Sequence, residues 1–156
     1  MRILTIILSL VCVSAFAQEK LTFAQAKIKA DQGDPKAQYR LGWSYRSGDG
    51  VGPGVKPNYV ESAKYFQMSA DQGYGKAQQE LAECYVDGRG VERDLIKAYA
   101  YWSLALLSFE GDSAIGARRR RAEIAEGMTF NQIQTAKDLA VSLQAEIVAR
   151  AKAEKK

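Results

Sequence analysis

The sequence predicts an all-α protein: a short right-handed α-solenoid of helix-turn-helix repeats with a C-terminal capping helix pair. One observation is an internal repeat, since residues 30–51 and 70–91 are identical at twelve of 22 positions with a constant offset of 40. A repeat of this length indicates one supersecondary unit that is copied and stacked. Polar N-cap residues also precede segments whose apolar positions are spaced by three and four, which is typical of helices. No sustained apolar–polar alternation predicts a strand.

The first 17 residues have the features of a secretory signal peptide. Arg2 precedes an apolar run, and residues 15–17 read Ala-Phe-Ala, a small-residue cleavage site. The apolar run is short for a membrane span. We therefore expect cleavage after Ala17 and export of the remaining chain, which has room for one modest domain. An uncleaved anchor is an alternative, and Val11 before Cys12 argues against a lipoprotein.

The helices before and within the first copy follow from local signals. Residues 22–33 form half a repeat, because Thr22 and Gln25 make a capping box and Gly33 ends the helix. The first full copy occupies about residues 37–73. Its two helices are introduced by Asp34-Pro35 and by Asn58, which are residue types favoured at helix N-termini.

The second copy occupies about residues 77–112 and completes the repeat region, residues 18–112. It begins near Gly75, and Asp94 caps its second helix. The first copy contains four extra residues near 52–55. After this insertion, the offset between matching positions of the two copies falls from 40 to 36. Residues 113–153 are the predicted cap, in which a helix over 113–126 is followed by a long helix that begins at a Thr129-x-x-Gln132 capping box. We expect residues 154–156 to fray.

These motifs resemble the Sel-one-like repeat, a relative of the tetratricopeptide repeat. The matching positions are Ala37, Leu41, Gly42, Tyr45, Gly48, Gly50 and Val51 in the first copy, and Ala77, Leu81, Tyr85, Gly88, Gly90 and Val91 in the second. Ala82 departs from the pattern, where the repeat has Gly. The resemblance covers about residues 23–148 and implies a secreted bacterial member, located in the periplasm of a Gram-negative cell, that binds another protein or a peptide.

The residue types present argue against an enzyme. The chain contains no histidine, which removes Ser-His-Asp and Cys-His catalysis and histidine metal sites. It contains no Ser-x-x-Lys motif and no glycine-rich phosphate loop in a strand-to-helix context. We expect no catalytic residues, no metal and no cofactor. A carboxylate pair that hydrolyses a glycan remains a remote alternative.

Charge and cysteine content limit the partners. The formal net charge is +4 and is spread along the chain, so nucleic acid and stable membrane insertion after cleavage are not expected. The run of four arginines over residues 118–121 is an anion-binding patch or, as we favour, a solvated helix face.

Cys84 is the one cysteine after the signal peptide. It is either buried, as its place beside an apolar stripe favours, or free to form an intermolecular disulfide.

Aromatic and basic residues that the repeat does not require are the candidate binding site. Spacings of four and three place Tyr39, Trp43 and Arg46 on one helix stripe, and the matching positions of the second copy include Gln79 and Glu83. Solenoids bind partners on extended surfaces, and Tyr, Trp and Arg are common interface anchors. We predict that these five residues line a groove for a peptide or protein segment. The alternative is that Trp43 packs on the helix over 22–32.

The leading functional prediction is a non-enzymatic adaptor or regulator that holds a partner protein. A peptidoglycan- or glycan-associated assembly factor is the alternative from a different class. An array of two full repeats is also short, so a homodimer that stacks its open ends is a further alternative.

Overall fold

The computed structural model describes residues 23–48 and 56–153, and these residues form seven helices with no strand among them. The helices are α1 (Phe23–Asp31), α2 (Pro35–Ser47), α3 (Tyr59–Ala70), α4 (Gly75–Asp87), α5 (Leu95–Ala105), α6 (Gly111–Glu126) and α7 (Phe130–Ala153). The predicted signal peptide, Thr22 of the first capping box, the inserted loop and the residues expected to fray lie outside the described residues. Within the described part of the chain, no helix is both long and apolar enough to cross a membrane.

The residues that the sequence predicted as N-caps do cap the N-termini of their helices. The Asp34 carboxylate accepts hydrogen bonds from the backbone N–H groups of Lys36 and Ala37, at 2.8 and 3.0 Å. Asn58 caps α3 and Asp94 caps α5 in the same way. Each cap satisfies backbone donors that a helix leaves unpaired at its N-terminus.

Neighbouring helices pack in the order expected of stacked repeats. Helix α2 packs against α3 and α4 against α5, while α1 contacts α2 and α3 contacts α4 across the repeat boundaries. One hydrogen bond recurs at those boundaries: Gln38 Nε2 donates to the Ala30 carbonyl, and Gln78 Nε2 donates to the Ala70 carbonyl. The donor and the acceptor of the second bond each lie 40 positions beyond those of the first. Helix α1 therefore packs on α2 in the same arrangement as α3 packs on α4.

The core is built from small residues at helix crossings and large residues between them. Ala37, Ala70, Ala77 and Ala98 are at most 3% exposed. The side chains of Leu41, Leu81 and Phe66 are completely buried. Small residues let helix axes approach closely, and the buried leucine and phenylalanine side chains fill the space between helices. Two tyrosine pairs, Tyr45 with Tyr65 and Tyr85 with Tyr101, stack in equivalent places.

Two glycines mark where the backbone or a ring comes too close for a side chain. A Cβ on Gly42 would lie 2.5 Å from two carbons of the Phe66 ring. A Cβ on Gly90, whose φ is +76°, would lie 1.9 Å from the Tyr59 carbonyl oxygen. The Gly-x-Gly segment of the second copy thus lies directly on the start of α3, which needs a residue without a Cβ.

Two helices follow the repeats. Helix α6 begins at Gly111, two residues before the predicted start, and Asp112 places a negative charge in its first turn, which the helix dipole favours. Helix α7 begins at the predicted capping box, where the Thr129 N–H donates to Gln132 Oε1 and the Gln132 N–H donates to Thr129 Oγ1. Both helices pack on α5.

Candidate functional site

An open groove crosses the first helices of successive units. Its lining comes from α2, α4, α5 and α6 and from Phe109 before α6, and its volume is about 410 Å³. The residues that line this inner groove are Tyr39, Lys76, Gln79, Glu80, Trp102, Phe109, Ser113, Gly116 and Ala117. Tyr39 and Gln79, which occupy equivalent positions of the two copies, therefore face one groove.

The Tyr39 ring is held by other aromatic rings. It lies 5.3 Å from the Tyr74 ring and 5.9 Å from the Phe66 ring, measured between centroids. Burial raises the pKa of the Tyr39 phenol above its ordinary value. The hydroxyl is therefore neutral at physiological pH and available for hydrogen bonding rather than for charge pairing.

Trp43 and Arg46 do not line the groove, but Arg46 contacts Glu80, which does. The Arg46 guanidinium lies 4.9 Å above the Trp43 ring and also forms an ion pair with Glu80. The Trp43 ring meets Phe66 edge-on, and the residue remains 37% exposed. Trp43 is thus anchored on α3, rather than on α1 as in the alternative prediction, and it is not fully buried.

Glu80 and Arg46 connect α4 to α2 through a partly buried charge pair. Burial raises the pKa of the Glu80 carboxyl, and the adjacent Arg46 guanidinium opposes that shift. The two side chains are 12% and 20% exposed, so the pair is more shielded from water than an ordinary surface salt bridge. The pair joins the two helices that carry Tyr39 and Gln79.

Glu83 connects three helices. Its carboxylate accepts hydrogen bonds from Trp102 Nε1 at 2.9 Å, from Arg120 Nε at 2.9 Å and from Arg120 Nη2 at 2.8 Å. The Arg120 fork is bidentate, the strongest geometry for this pair. Hydrogen bonding to Glu83 is the main cause that raises the pKa of Arg120. Glu83 therefore holds α4, α5 and α6 together beside the groove.

The polar side chains in the groove that have no protein partner include Lys76 and Gln79. Lys76 and Gln79 make no hydrogen bond or ion pair with any residue that the structure describes. An ammonium group attracts a carboxylate, and an amide can both donate to and accept from a peptide backbone. The floor below them is aromatic, formed by Tyr39, Trp102 and Phe109.

The site residues predicted from the sequence coincide only in part with the residues that line the groove. Of the five predicted residues, Tyr39 and Gln79 line the groove, whereas Trp43, Arg46 and Glu83 do not. Arg46 and Glu83 instead contact the lining residues Glu80 and Trp102, and Trp43 lies against Arg46. The sequence analysis missed Lys76, Glu80, Trp102, Phe109 and the residues from α6. Lys76 and Glu80 lie on the same helix as Gln79 at spacings of three and one, so helical periodicity could have indicated Lys76 at least.

The arginine run over residues 118–121 is only partly the solvated face that the sequence favours. Arg119 is 82% exposed in its side chain. Arg120 binds Glu83, and the Arg121 guanidinium lies 5.3 Å from the centre of the Tyr99 ring and donates to Ser103 Oγ. Consecutive helical residues point in different directions, so two of the four arginines are aimed at neighbouring helices.

The site has few features of a reactive centre. Cys84 is 4% exposed, and burial raises the pKa of its thiol to about 11, so the thiolate nucleophile is scarce at neutral pH. Across residues 23–48 and 56–153, no group of three or more His, Cys, Asp or Glu residues could hold a metal ion.

The fold is that of a helical-repeat scaffold with an open groove across its first helices. The family model described as Sel1 repeat matches residues 35–74 and 75–107. The chain therefore carries two Sel1 repeats, and the resemblance in the sequence is confirmed. Repeats of this family are generally protein–protein interaction modules.

Solved structures with the same fold include two bacterial proteins. One is c5321, a protective antigen present in uropathogenic Escherichia coli strains and displaying an SLR fold; it is 28% identical, with a TM-score of 0.71 over 85% of this chain. Another is a Sel1 repeat protein from Oxalobacter formigenes, 22% identical, with a TM-score of 0.53 over 72% of this chain. The chain spans 27% and 45% of the lengths of these proteins. No curated protein sequence matches the chain.

Proposed function

We propose that this protein is an adaptor or regulator that holds a partner protein by binding one of its peptide segments in the inner groove. The observation that carries the proposal is the pairing of an aromatic floor with two unpartnered polar groups, Lys76 and Gln79, between braced walls. A preformed site of this kind loses little conformational entropy on binding. The membership of both copies in an interaction-module family supports the same reading.

The lining indicates what kind of segment fits. The rings of Tyr39, Trp102 and Phe109 favour an apolar or aromatic side chain. Lys76 favours a carboxylate, and Gln79 can pair with a peptide group of the bound segment. We therefore propose an extended segment that carries a bulky apolar residue close to an acidic residue.

The proposal assigns no catalytic role. A site whose one described cysteine is buried and protonated, and which has no metal cluster among the described residues, suits an interaction protein better than a hydrolase. Turnover of a substrate by the homogeneous protein would contradict this part of the proposal.

The experiment that tests the binding function is site-specific photocrosslinking in cells. Benzoylphenylalanine replaces Ser113, which lines the groove, and in a matched control it replaces Met68 on α3, which does not line the groove. We expect one partner protein to be captured from position 113 and not from position 68. Capture of the same proteins from both positions, or of none from position 113, contradicts the proposal.

The alternative that the groove binds a glycan is tested by cosedimentation. Purified peptidoglycan sacculi are sedimented with the protein and with a Gly116→Trp variant that fills the groove. The proposal predicts that neither cosediments. Cosedimentation of the wild-type protein that the variant loses would assign the groove to a glycan instead of a protein segment.

We also propose that the protein works outside the cytoplasm, in the periplasm or after secretion. This rests on the signal-peptide features of residues 1–17, which combine Arg2, a short apolar run and an Ala-x-Ala site. A partner would then be another exported protein.

A further inference from the structure

The last two helices diverge and leave an apolar cleft between them. Helices α2 and α3 pack closely, as do α4 and α5, but the consecutive helices α6 and α7 barely contact each other although both pack on α5. The cleft between them, the C-terminal wedge, has a volume of about 450 Å³. Its lining residues are Tyr99, Ser103, Leu104, Leu107, Arg121, Lys137, Ala140, Val141 and Gln144.

The wedge exposes large apolar side chains. Leu107 is 67% exposed and Val141 is 71% exposed, and the largely buried Leu104 and Ala140 line the same cleft. Contiguous exposed apolar surface bordered by polar groups is typical of an interaction site. The inner groove is lined by different residues, so the wedge is a second surface.

The charges around the wedge have one sign. Arg121 and Lys137 line it, no acidic residue does, and neither cation forms an ion pair with any carboxylate of the described residues. Arg121 is also held in place, because it lies over the Tyr99 ring and one of its N–H groups bonds Ser103 Oγ. A fixed cation beside an apolar floor favours an occupant with a carboxylate.

We propose that the wedge binds an amphipathic helix of a partner protein that carries acidic residues beside its apolar face. A helix laid between α6 and α7 would give both of them the close neighbour that the helices of the repeats already have. Its apolar residues at i, i+3, i+4 and i+7 would cover Leu107 and Val141, and its carboxylates would meet Arg121 and Lys137. A second copy of this chain fits less well, since a two-fold interface would place these cations against themselves.

The test uses a random 16-residue peptide library displayed on phage and panned against the protein. We expect enriched peptides with apolar residues at helical spacing flanked by Asp or Glu. A synthetic enriched peptide should bind the Arg121→Glu/Lys137→Glu variant about tenfold more weakly, and a version with Lys in place of its acids should regain affinity for that variant. Val141→Asp should also weaken binding, whereas Val60→Asp, an equally exposed control, should not.

Other results would overturn the proposal. Enriched peptides without acidic residues, or peptides that bind the wedge variants as well as wild type, contradict it. Peptides lost in the Gly116→Trp variant but kept by Val141→Asp would belong to the inner groove. Concentration-dependent dimerisation in analytical ultracentrifugation that Val141→Asp abolishes would assign the wedge to a second copy of this chain. Thermal melts by circular dichroism confirm that each variant is folded.

Discussion

The Arg120 guanidinium donates hydrogen bonds to both carboxylate oxygens of Glu83, with Nε 2.9 Å from Oε1 and Nη2 2.8 Å from Oε2. The contact joins residues 37 positions apart and fixes α6 against α4. Helix α6 also provides Gly116 and Ala117 to the inner groove. The ion pair therefore joins the helix that carries these two lining residues to α4.

Removing this pair should destabilise the fold by a measurable amount. We expect Glu83→Gln to lower the free energy of unfolding by about 1–2 kcal/mol, because a charge-assisted, half-buried pair and an indole hydrogen bond are weakened. Urea denaturation measures the change. The control is Arg119→Ala, whose 82% exposed side chain should contribute less than about 0.5 kcal/mol. An equal effect of both substitutions would contradict this role of Glu83.

Two glycines within helices should respond to alanine in opposite directions. Gly42→Ala places a methyl group 2.5 Å from the Phe66 ring, so we expect a loss of about 1–3 kcal/mol through overpacking. Gly116→Ala meets no atom within 4 Å and should gain about 0.5–1 kcal/mol from helix propensity. Thermal unfolding followed by circular dichroism compares the two. A gain in both variants would mean that α2 and α3 do not pack as closely as described.

Cys84 should make the stability depend on alkaline pH. Burial raises its pKa from the ordinary value near 9 to about 11, so the folded state retains a proton that the unfolded state loses between these values. The stabilisation is complete below pH 9 and is lost as the pH rises toward 11. We expect the fall in stability over this range, measured by urea titration, to be smaller in Cys84→Ala.

The buried thiol also predicts how the protein behaves toward oxidants and alkylating agents. At about pH 8 the native protein should react with iodoacetamide far more slowly than the protein in denaturant, because the thiol is 4% exposed and protonated. Non-reducing electrophoresis should give a monomer band. A disulfide-linked dimer formed under native conditions would contradict the burial of Cys84.

The predicted signal peptide defines the mature N-terminus. We expect the exported protein to begin at Gln18, which intact-mass spectrometry of the extracytoplasmic fraction can establish. Replacing Ala17 with Asp should block cleavage and leave the longer form attached to the membrane. A full-length product in the extracytoplasmic fraction would contradict cleavage after Ala17, and a product confined to the cytoplasm would contradict the export proposal.

Local signals made most of the fold predictable. Asp34, Asn58 and Asp94 act within three residues of themselves, so their capping roles follow from sequence alone. The offset of 40 between the copies likewise pairs Tyr39 with Gln79, because equivalent positions of stacked repeats lie side by side.

The parts that could not be predicted depend on how distant helices are oriented. The contacts between Arg120 and Glu83 and between Arg46 and Glu80 span 37 and 34 positions, and neither follows from helical spacing. The divergence of α6 from α7 also has no marker in the sequence, because each helix is amphipathic on its own and its place is set by packing on α5. Predicting the inner groove in full would have required those orientations.

The most direct test of the central claim is the affinity of the crosslinked partner for two variants at one position. Gly116→Ala leaves the inner groove open, whereas Gly116→Trp fills it, and both substitutions start from a site with free space around the Cβ. Isothermal titration calorimetry should give wild-type affinity for Gly116→Ala and a loss of about tenfold or more for Gly116→Trp. Equal affinity of the two folded variants would contradict the claim that the groove holds the partner.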